Sequence, residues 1–312
     1  MRTFVSRFRI GLRVKRTRRG VIVSQPAFSK TVGALVIAAV APLSAQWLKY
    51  RDPTVPRTKD GTPNLSAPAP RTVDGKPDLS GVWTHELTTA DEWKRLIGPA
   101  YDQAVKTDIP GMEIARVHKY AFNILSDLKP EDSPMRPETT ALVARRLSEP
   151  PLAACSTGQQ LATIGFPIAG LLAEPIKIVQ APRLTLVLYE VGGVHRQIYT
   201  DGRTLPREYD LPAFLGYSVG RWERDTFVVE TSGFNDKTRF DLAGHPHSDQ
   251  LRVVERFQRR DFGHLDLEMT FDDPKFYTKP FTVRIPHTLL ADDDIFEMFD
   301  ENEKDCAHMG RK

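Results

Sequence analysis

Residues 251–259 (LRVVERFQR) and 265–271 (LDLEMTF) carry the clearest architectural signal in the chain. In the second segment, four apolar side chains alternate with Asp, Glu and Thr, which is typical of a strand with one buried face. The first segment mixes charged and apolar side chains on both faces, and a turn at 261–264 is short enough to join the two as a hairpin. Mixed faces are expected in a barrel whose interior is partly polar.

The rest of the C-terminal half repeats this pattern of short strands and tight turns. Gly192-Gly193 and Arg224-Asp225 separate neighbouring segments as hairpin turns do. The further predicted strands are residues 183–190, 195–200, 217–223, 226–231, 281–285 and 295–299. Eight short strands joined mainly by hairpins predict a mainly β fold, an antiparallel up-and-down barrel or a sandwich.

The region before these strands has a different composition. Residues 46–80, the arm, are rich in proline and contain a short repeat, PRTKDGTPNLS at 56–66 and PRTVDGKPDLS at 70–80, which favours extended backbone and turns. Residues 81–154 are predicted to add helices to one side of the barrel, at 91–97 after a Thr89 cap, at 112–128 and at 137–147. The predicted β-barrel domain is then 155–312.

The N-terminus has the pattern of a signal peptide over residues 1–45. This segment contains nine Lys or Arg and no acidic residue, and its apolar core at 31–41 is followed by small residues. Cleavage is expected after Ala45, because the core is shorter than the about 20 residues of a spanning helix. An uncleaved anchor and a cytosolic protein are the alternatives. A cleaved signal predicts a periplasmic or secreted protein with no membrane span.

The composition excludes several classes of protein. The 312 residues are 40% hydrophobic, which is enough for a core and excludes global disorder. The formal net charge is +3, but removing the nine N-terminal cations from the 43 Lys and Arg leaves 34 against 40 Asp and Glu, a net charge of −6. An acidic mature chain argues against nucleic-acid binding. No glycine-rich phosphate loop is present, and no cofactor is predicted.

Several strings resemble an uncharacterised family of exported bacterial proteins with a lipocalin-like β-barrel. They are DLSGVW at 78–83, PIKIVQ at 175–180, IYTDGR at 198–203, GYSVGRWE at 216–223, DTFVVET at 225–231 and VERF at 254–257. The resemblance spans about residues 46–305 and implies a fold and export, without an activity. Gly81-Val82-Trp83 also resembles the opening signature of lipocalins, which implies that Trp83 plugs the closed end of the barrel, although the predicted helices separate it from the strands.

The two cysteines, Cys155 and Cys306, would meet an oxidising compartment after export, where a disulfide between them can persist. Two free thiols are the alternative. The family that the chain resembles places a cysteine just before a Glu-Asn near its end, where this chain has Phe299 and Asp300. Cys306 comes later, and this departure weighs against the disulfide.

Two groups of residues are candidates for acid–base chemistry. Asp201-Gly202-Arg203 places a carboxylate beside a guanidinium across a turn, and the alternative is a structural ion pair. Glutamates also interrupt the apolar strands, and burial would raise the pKa of any that face inwards. The glutamates are Glu190, Glu230 and Glu255, with Arg196, Arg221 and Arg256 as available partners. A structural ion-pair network or outward-facing charge is the alternative reading.

His245-Pro246-His247 places two imidazoles on one side of an extended segment, a spacing that occurs at metal sites. A third ligand would be needed, and the spacing does not select one from His195, His264 and Asp241, so no metal is predicted. His247 remains a candidate catalytic or ligand-contacting residue, with an ordinary loop as the alternative. Ser218 fits a Gly-X-Ser-X-Gly pattern, but it lies inside a β segment rather than at the strand-to-helix turn of hydrolases.

The predicted function is binding of a small hydrophobic or aromatic molecule inside the barrel. An enzyme on the same barrel, performing isomerisation, cyclisation or hydrolysis, and an interaction protein whose arm docks onto a partner are the alternatives. The candidate catalytic residues are Asp201, Arg203, His247 and Glu255, and the candidate ligand-binding residues are Tyr189, Glu190, Tyr199, Tyr217, Trp222, Glu230 and Arg256. A polar lumen favours the enzyme, an apolar lumen favours binding, and a filled lumen favours the interaction protein.

Overall fold

Nine strands close into one barrel in the computed structural model, which describes residues 51–102, 117–148, 165–172 and 174–296. In chain order the strands are β1 Gly81–His85, β2 Ile176–Ala181, β3 Leu184–Tyr189, β4 His195–Tyr199, β5 Tyr217–Glu223, β6 Thr226–Ser232, β7 Arg252–Arg259, β8 His264–Asp272 and β9 Phe281–Leu289. The prediction of a mainly β fold built as a barrel is confirmed, with nine strands in place of eight. Closure joins the two ends of the sheet and removes its free edges.

The first strand closes the barrel, because β1 pairs antiparallel with β2 on one side and with β9 on the other. The expectation that Gly81–Trp83 opens the helical segment is therefore wrong, and the helices lie between β1 and β2 along the chain. A five-residue strand is too short to show a period, and its position depends on hydrogen bonds to strands far away in sequence. Ile295 and Phe296, the start of the last predicted strand, belong to no strand, and residues 297–299 lie outside the described ranges.

One contact departs from the predicted up-and-down order. β4 and β5 run parallel, with Ile198 opposite Ser218 and Tyr199 opposite Val219, whereas the other neighbouring strands are antiparallel. Parallel neighbours need a connection that brings the chain back to the end where it started. Residues 200–216 make this connection. The strand pattern does not reveal where such a connection returns, so the fully antiparallel expectation is wrong here.

The interior of the barrel follows the alternation of the strands. In β8 the apolar side chains face inwards and the acidic ones lie on the outer surface, as the sequence predicts. In β7, whose faces the sequence left ambiguous, the buried set includes two charged residues. The buried residues are Val253, Glu255, Phe257 and Arg259 in β7, and Leu265, Leu267, Met269 and Phe271 in β8.

The described α-helices include α1 Ala90–Ile97, α2 Lys119–Phe122 and α3 Pro137–Ser148, and residues 100–102 are helical as well. The cap of α1 is as predicted, because the Thr89 side chain accepts a hydrogen bond from the Glu92 N–H at 3.2 Å. The expected helix at 112–128 is wrong in its described part, where only α2 is helical. Asn123 ends α2, since its side-chain oxygen accepts from the Leu125 N–H at 2.9 Å and thereby favours a turn. Residues 112–116 lie outside the described ranges.

The end of the barrel at which β1 begins, the lower end, is sealed around Trp83. This side chain is fully buried, its Nε1 donates to Leu79 O at 3.0 Å, and the Arg259 guanidinium lies 4.9 Å from its ring centroid. Arg259 also donates to the carbonyl oxygens of Asp78 and Phe262. Burial lowers the pKa of Arg259 to about 10, so that it remains a cation near neutral pH. One guanidinium therefore ties the arm, the β7–β8 turn and Trp83 together.

The described part of the arm docks onto the barrel of its own chain. Its two repeats fold into similar turns, with hydrogen bonds of 2.9 Å from Thr58 N to Thr62 O and from Thr72 N to Lys76 O. The first arginine of each repeat forms an ion pair with the barrel domain, Arg57 with Asp292 and Arg71 with Asp225. Each repeat thus presents its arginine to a barrel loop, and Lys76 of the second repeat also donates to Arg224 O at 3.2 Å.

The opposite, upper end is covered by residues 165–172, the lid, together with α2 and the loop 233–251. The lid is held by its carbonyl oxygens, because Leu171 O accepts from His118 N at 3.0 Å and Leu172 O accepts from His85 Nε2 at 2.8 Å. The loop joins the same cover through Leu242 N, which donates to Ala121 O at 2.8 Å. Among the residues described, no helix has the length and apolar character needed to cross a membrane.

Candidate functional site

A cavity of about 30 Å³ lies inside the barrel beneath the lid. Four of the side chains in its wall are polar, and the others are apolar residues of the lid and the strands. The polar ones are Tyr189, Arg196, Glu255 and His287. Since a water molecule needs at least about 10–15 Å³, this space holds about two waters. The lumen is therefore polar at one point and otherwise filled by side chains.

Arg196 of β4 and Glu255 of β7 form an ion pair across the lumen, with the two residues 2% and 1% exposed. Nη1 of the guanidinium donates to Oε1 at 3.0 Å and Nη2 donates to Oε2, so that both carboxylate oxygens are occupied. Nε donates to Ser218 Oγ at 2.9 Å, and Nη2 also donates to Thr231 Oγ1 at 2.6 Å. This bidentate geometry compensates two charges that would otherwise be costly to bury.

The protonation of this cluster follows from its burial. Desolvation opposes the charge on Arg196, but the charge of Glu255 and its hydrogen bond outweigh this effect and raise the pKa of Arg196 above its ordinary value. Burial raises the pKa of Tyr189, which lines the same cavity as Arg196. Arg196 is therefore a permanent cation, balanced by the carboxylate of Glu255 and next to a neutral phenol.

Three histidines that the sequence analysis did not single out, His85, His118 and His287, lie around the cavity and its cover. His287 lines the cavity, and its Nδ1 donates to Ile285 O at 2.9 Å. The rings of His85 and His118 are 5.2 Å apart. Desolvation, followed by the proximity of other imidazoles, lowers the pKa of His118 to about 2 and that of His287 to about 3. Both rings are therefore neutral at neutral pH.

Asp201 and Arg203 lie on the outside of the barrel together with two of the predicted ligand-binding tyrosines. Arg203 Nε donates to Asp201 Oδ1 and Nη1 donates to Tyr217 OH, both at 2.9 Å, and the guanidinium lies 3.9 Å from the Tyr199 ring centroid. The hydrogen bond from Arg203 lowers the pKa of Asp201 to about 2. The geometry matches the structural ion pair, because each charged group already has its partner inside the turn.

His245 and His247 are buried in the loop 233–251, and each has its own partners. His245 Nδ1 donates to Asp241 Oδ2 at 2.6 Å. His247 Nε2 bonds with Thr238 Oγ1, and its Nδ1 donates to Ser248 O at 3.3 Å. The two imidazoles thus hold the loop together and do not converge on one point. Within the described ranges, no group of three or more His, Cys, Asp or Glu side chains is arranged to hold a metal ion.

The remaining predicted residues are spread over the surface and the lower end. Glu230 and Arg256 are on the outer surface, where they pair with Arg221 and Glu223 respectively. Glu190 Oε2 accepts from Phe296 N at 2.9 Å, and Trp222 packs on Phe227 with ring centroids 5.1 Å apart. Of the residues predicted from sequence, Tyr189 and Glu255 are the two in the cavity wall. Cys155 and Cys306 lie outside the described residues.

The sequence predicts Arg196 only as a partner for a glutamate, and it predicts no role for Phe166 or His287. A signal for Arg196 was present, because Arg196 and Ile198 share one face of a predicted strand, and a charge on a buried face needs a partner. His287 lies past the predicted end of its strand at residue 285. For Phe166 there was no signal, since a lid residue is placed by long-range contacts.

Comparisons of the chain with protein-family models, with curated proteins and with solved structures gave no match. The candidate site therefore depends on its own geometry: a balanced ion pair, a phenol and an imidazole around a small space in an otherwise apolar lumen.

Proposed function

We propose that this protein binds a small molecule inside the barrel, between the lid and the Arg196–Glu255 pair. The observation that carries the proposal is a fully buried, hydrogen-bonded ion pair in the wall of a mostly apolar cavity. Ligand sites commonly combine apolar walls with a few well-placed polar groups. A buried ion pair contributes little net stability compared with apolar side chains of the same volume, so a role in a binding site accounts for it better.

An enzyme is the weaker proposal for this geometry. Asp201 and Arg203 lie outside the barrel and His247 lies in the loop 233–251, so three of the four candidate catalytic residues are apart from Glu255. Both oxygens of Glu255 accept hydrogen bonds from Arg196, which leaves this carboxylate poorly placed to take a proton from a substrate. Between binding and chemistry, these contacts favour binding. A nearly filled lumen also favours the interaction protein, but the described part of the arm that would dock onto a partner is already paired with its own barrel through Arg57 and Arg71.

The proposal includes a lipocalin-like barrel and export of the protein. The support for the first is the closed barrel, with Trp83 buried at its lower end beneath Arg259. The support for the second is the pattern of residues 1–45. The denaturing mass of the protein from a bacterial host tests export, because cleavage after Ala45 removes these residues, and an uncleaved mass would contradict it.

Native mass spectrometry tests ligand binding, with a substitution that fills the lumen and a matched control. Leu267→Phe enlarges a side chain in the cavity wall, whereas Leu211→Phe makes the same change at a residue that is 88% exposed. We expect the wild-type protein and Leu211→Phe to retain a small molecule, either carried from the host or added from a panel of small apolar and aromatic compounds. Leu267→Phe should lose it while remaining folded by circular dichroism.

Two outcomes would contradict the proposal. One is a folded wild-type protein that binds no compound of the panel at concentrations of about 1 mM, the weakest affinity of interest. The other is equal binding by the wild type and by Leu267→Phe, which would place the ligand outside the lumen.

A further inference from the structure

The size of the cavity restricts how a ligand can enter. A space of about 30 Å³ admits water but no ring, whereas an apolar cavity known to bind benzene measures about 150 Å³. A ligand in this lumen must therefore displace a side chain of the wall. The ligand is then expected to resemble the displaced side chain in its chemistry.

Phe166 of the lid places its ring over the buried Arg196 guanidinium. Its ring centroid lies 4.4 Å from the Arg196 guanidinium, and the residue is 3% exposed. A cation over the face of an aromatic ring is favourable, and more so away from water. The Phe166 ring thus occupies the position that a ligand ring would need.

The edges of the Arg196 guanidinium are already occupied. Four of its five N–H groups donate to Glu255, Ser218 and Thr231. An anion needs several free N–H donors and a net positive charge. This site offers at most one unused N–H of Arg196, and Glu255 balances the charge. The face of the guanidinium is what a ligand can use, and the face suits a neutral aromatic ring.

His287 adds one polar contact to this site. Its Nδ1 donates to Ile285 O at 2.9 Å, which fixes the tautomer and leaves Nε2 as an acceptor. No partner for Nε2 is found among the described residues, and His287 belongs to the cavity wall. The rest of the wall, including Val187 and Met269, is apolar. A ligand with one N–H or O–H donor would satisfy this nitrogen.

We propose that the ligand is a neutral aromatic molecule with one hydrogen-bond donor, such as a phenol or an indole, and that its ring replaces that of Phe166 on Arg196. This inference deepens the proposed function and rests on it. In the absence of ligand, the aromatic ring of Phe166 occupies the position that the aromatic ring of the ligand would take.

The test removes the Phe166 ring and compares probes that differ in one property each. We expect phenol to bind the full-length Phe166→Ala variant at least about tenfold more tightly than the wild type, measured by calorimetric titration. Cyclohexanol lacks the aromatic ring and benzoate carries a charge, so each should bind Phe166→Ala at least about tenfold more weakly than phenol. Adding His287→Leu to Phe166→Ala should reduce the affinity for phenol to that for toluene. The affinity for toluene itself should not change.

Phe234→Ala is the matched control. Phe234 is 1% exposed and stacks on Phe166 at 6.1 Å, but it is not part of the cavity wall. Its removal should not create tight phenol binding. Equal binding by Phe234→Ala, or a preference for benzoate or cyclohexanol over phenol, would overturn the inference.

If Phe166→Ala does not fold, the same titrations are made with Phe166→Leu, which keeps apolar bulk without the ring. Retention of an aliphatic molecule by the wild type, with no response of either variant to phenol, would refute the inference and leave the proposed function standing. Absence of any bound molecule in the folded wild type and in the folded variants would refute both.

Discussion

The neutral histidines beneath the lid make a specific prediction about acid stability. His118 and His287 are 5% and 2% exposed, and desolvation lowers the pKa of the first to about 2 and of the second to about 3. In the unfolded chain both imidazoles return to a pKa of about 6.5. Between pH 6.5 and 3 the unfolded state therefore binds more protons than the folded state. The contribution of these two imidazoles to stability is fully present above about pH 7.5 and is lost as the pH falls.

The magnitude follows from the same values. At pH 5 the unfolded chain gains about 2 kcal/mol from protonation of each imidazole, while the folded chain gains nothing, so the free energy of unfolding falls by about 4 kcal/mol for the pair relative to pH 7.5. Urea denaturation at both pH values measures this loss. Comparing variants at the same two pH values cancels the contribution of the carboxylates.

His118→Asn is the informative variant. The His118 Nδ1 accepts a hydrogen bond from Tyr120 N at 3.3 Å and caps α2, and Asn can replace this acceptor without a titrating ring. We expect the variant to lose about 2 kcal/mol less than the wild type between pH 7.5 and 5. His195→Asn, at an exposed position of β4, should leave the wild-type loss unchanged. If the free energy of unfolding of His118→Asn falls as much as that of the wild type between pH 7.5 and 5, burial does not keep this ring neutral.

Other predictions concern the ion pair and the arm. Glu255→Gln should lower the free energy of unfolding by about 3–5 kcal/mol, because it leaves Arg196 buried without a counter-charge; a loss below about 1 kcal/mol in urea denaturation would contradict this. Arg71→Ala breaks an exposed pair with Asp225, 52% and 59% exposed, and should leave the urea denaturation midpoint nearly unchanged. A Cβ at Gly263 would lie 2.4 Å from the Leu65 Cβ. Gly263→Ala should therefore loosen the arm and speed proteolysis at 51–80. An unchanged rate of proteolysis would show that Leu65 can move aside without releasing the arm.

Part of the candidate site can be predicted from the sequence. Glu255 and Tyr189 were predicted, because a carboxylate and an aromatic ring on strand faces are visible in a period of two. Asp201, Arg203 and Tyr217 were predicted for the same site, yet they form a separate cluster on the outer surface. Local pattern identifies which residues share a face of one strand. It does not reveal which face turns inwards, because that depends on the neighbouring strands.

Local sequence patterns account for the β character of the chain, the half-buried face of β8 and the Thr89 cap of α1, since each depends on residues within a few positions of one another. Three features depend on the assembled fold: β1 closes the barrel, β4 and β5 run parallel, and Arg196 meets Glu255 beneath Phe166. These contacts join residues far apart in sequence. They form because closing the barrel buries all of its inner faces together, a condition that no local segment contains.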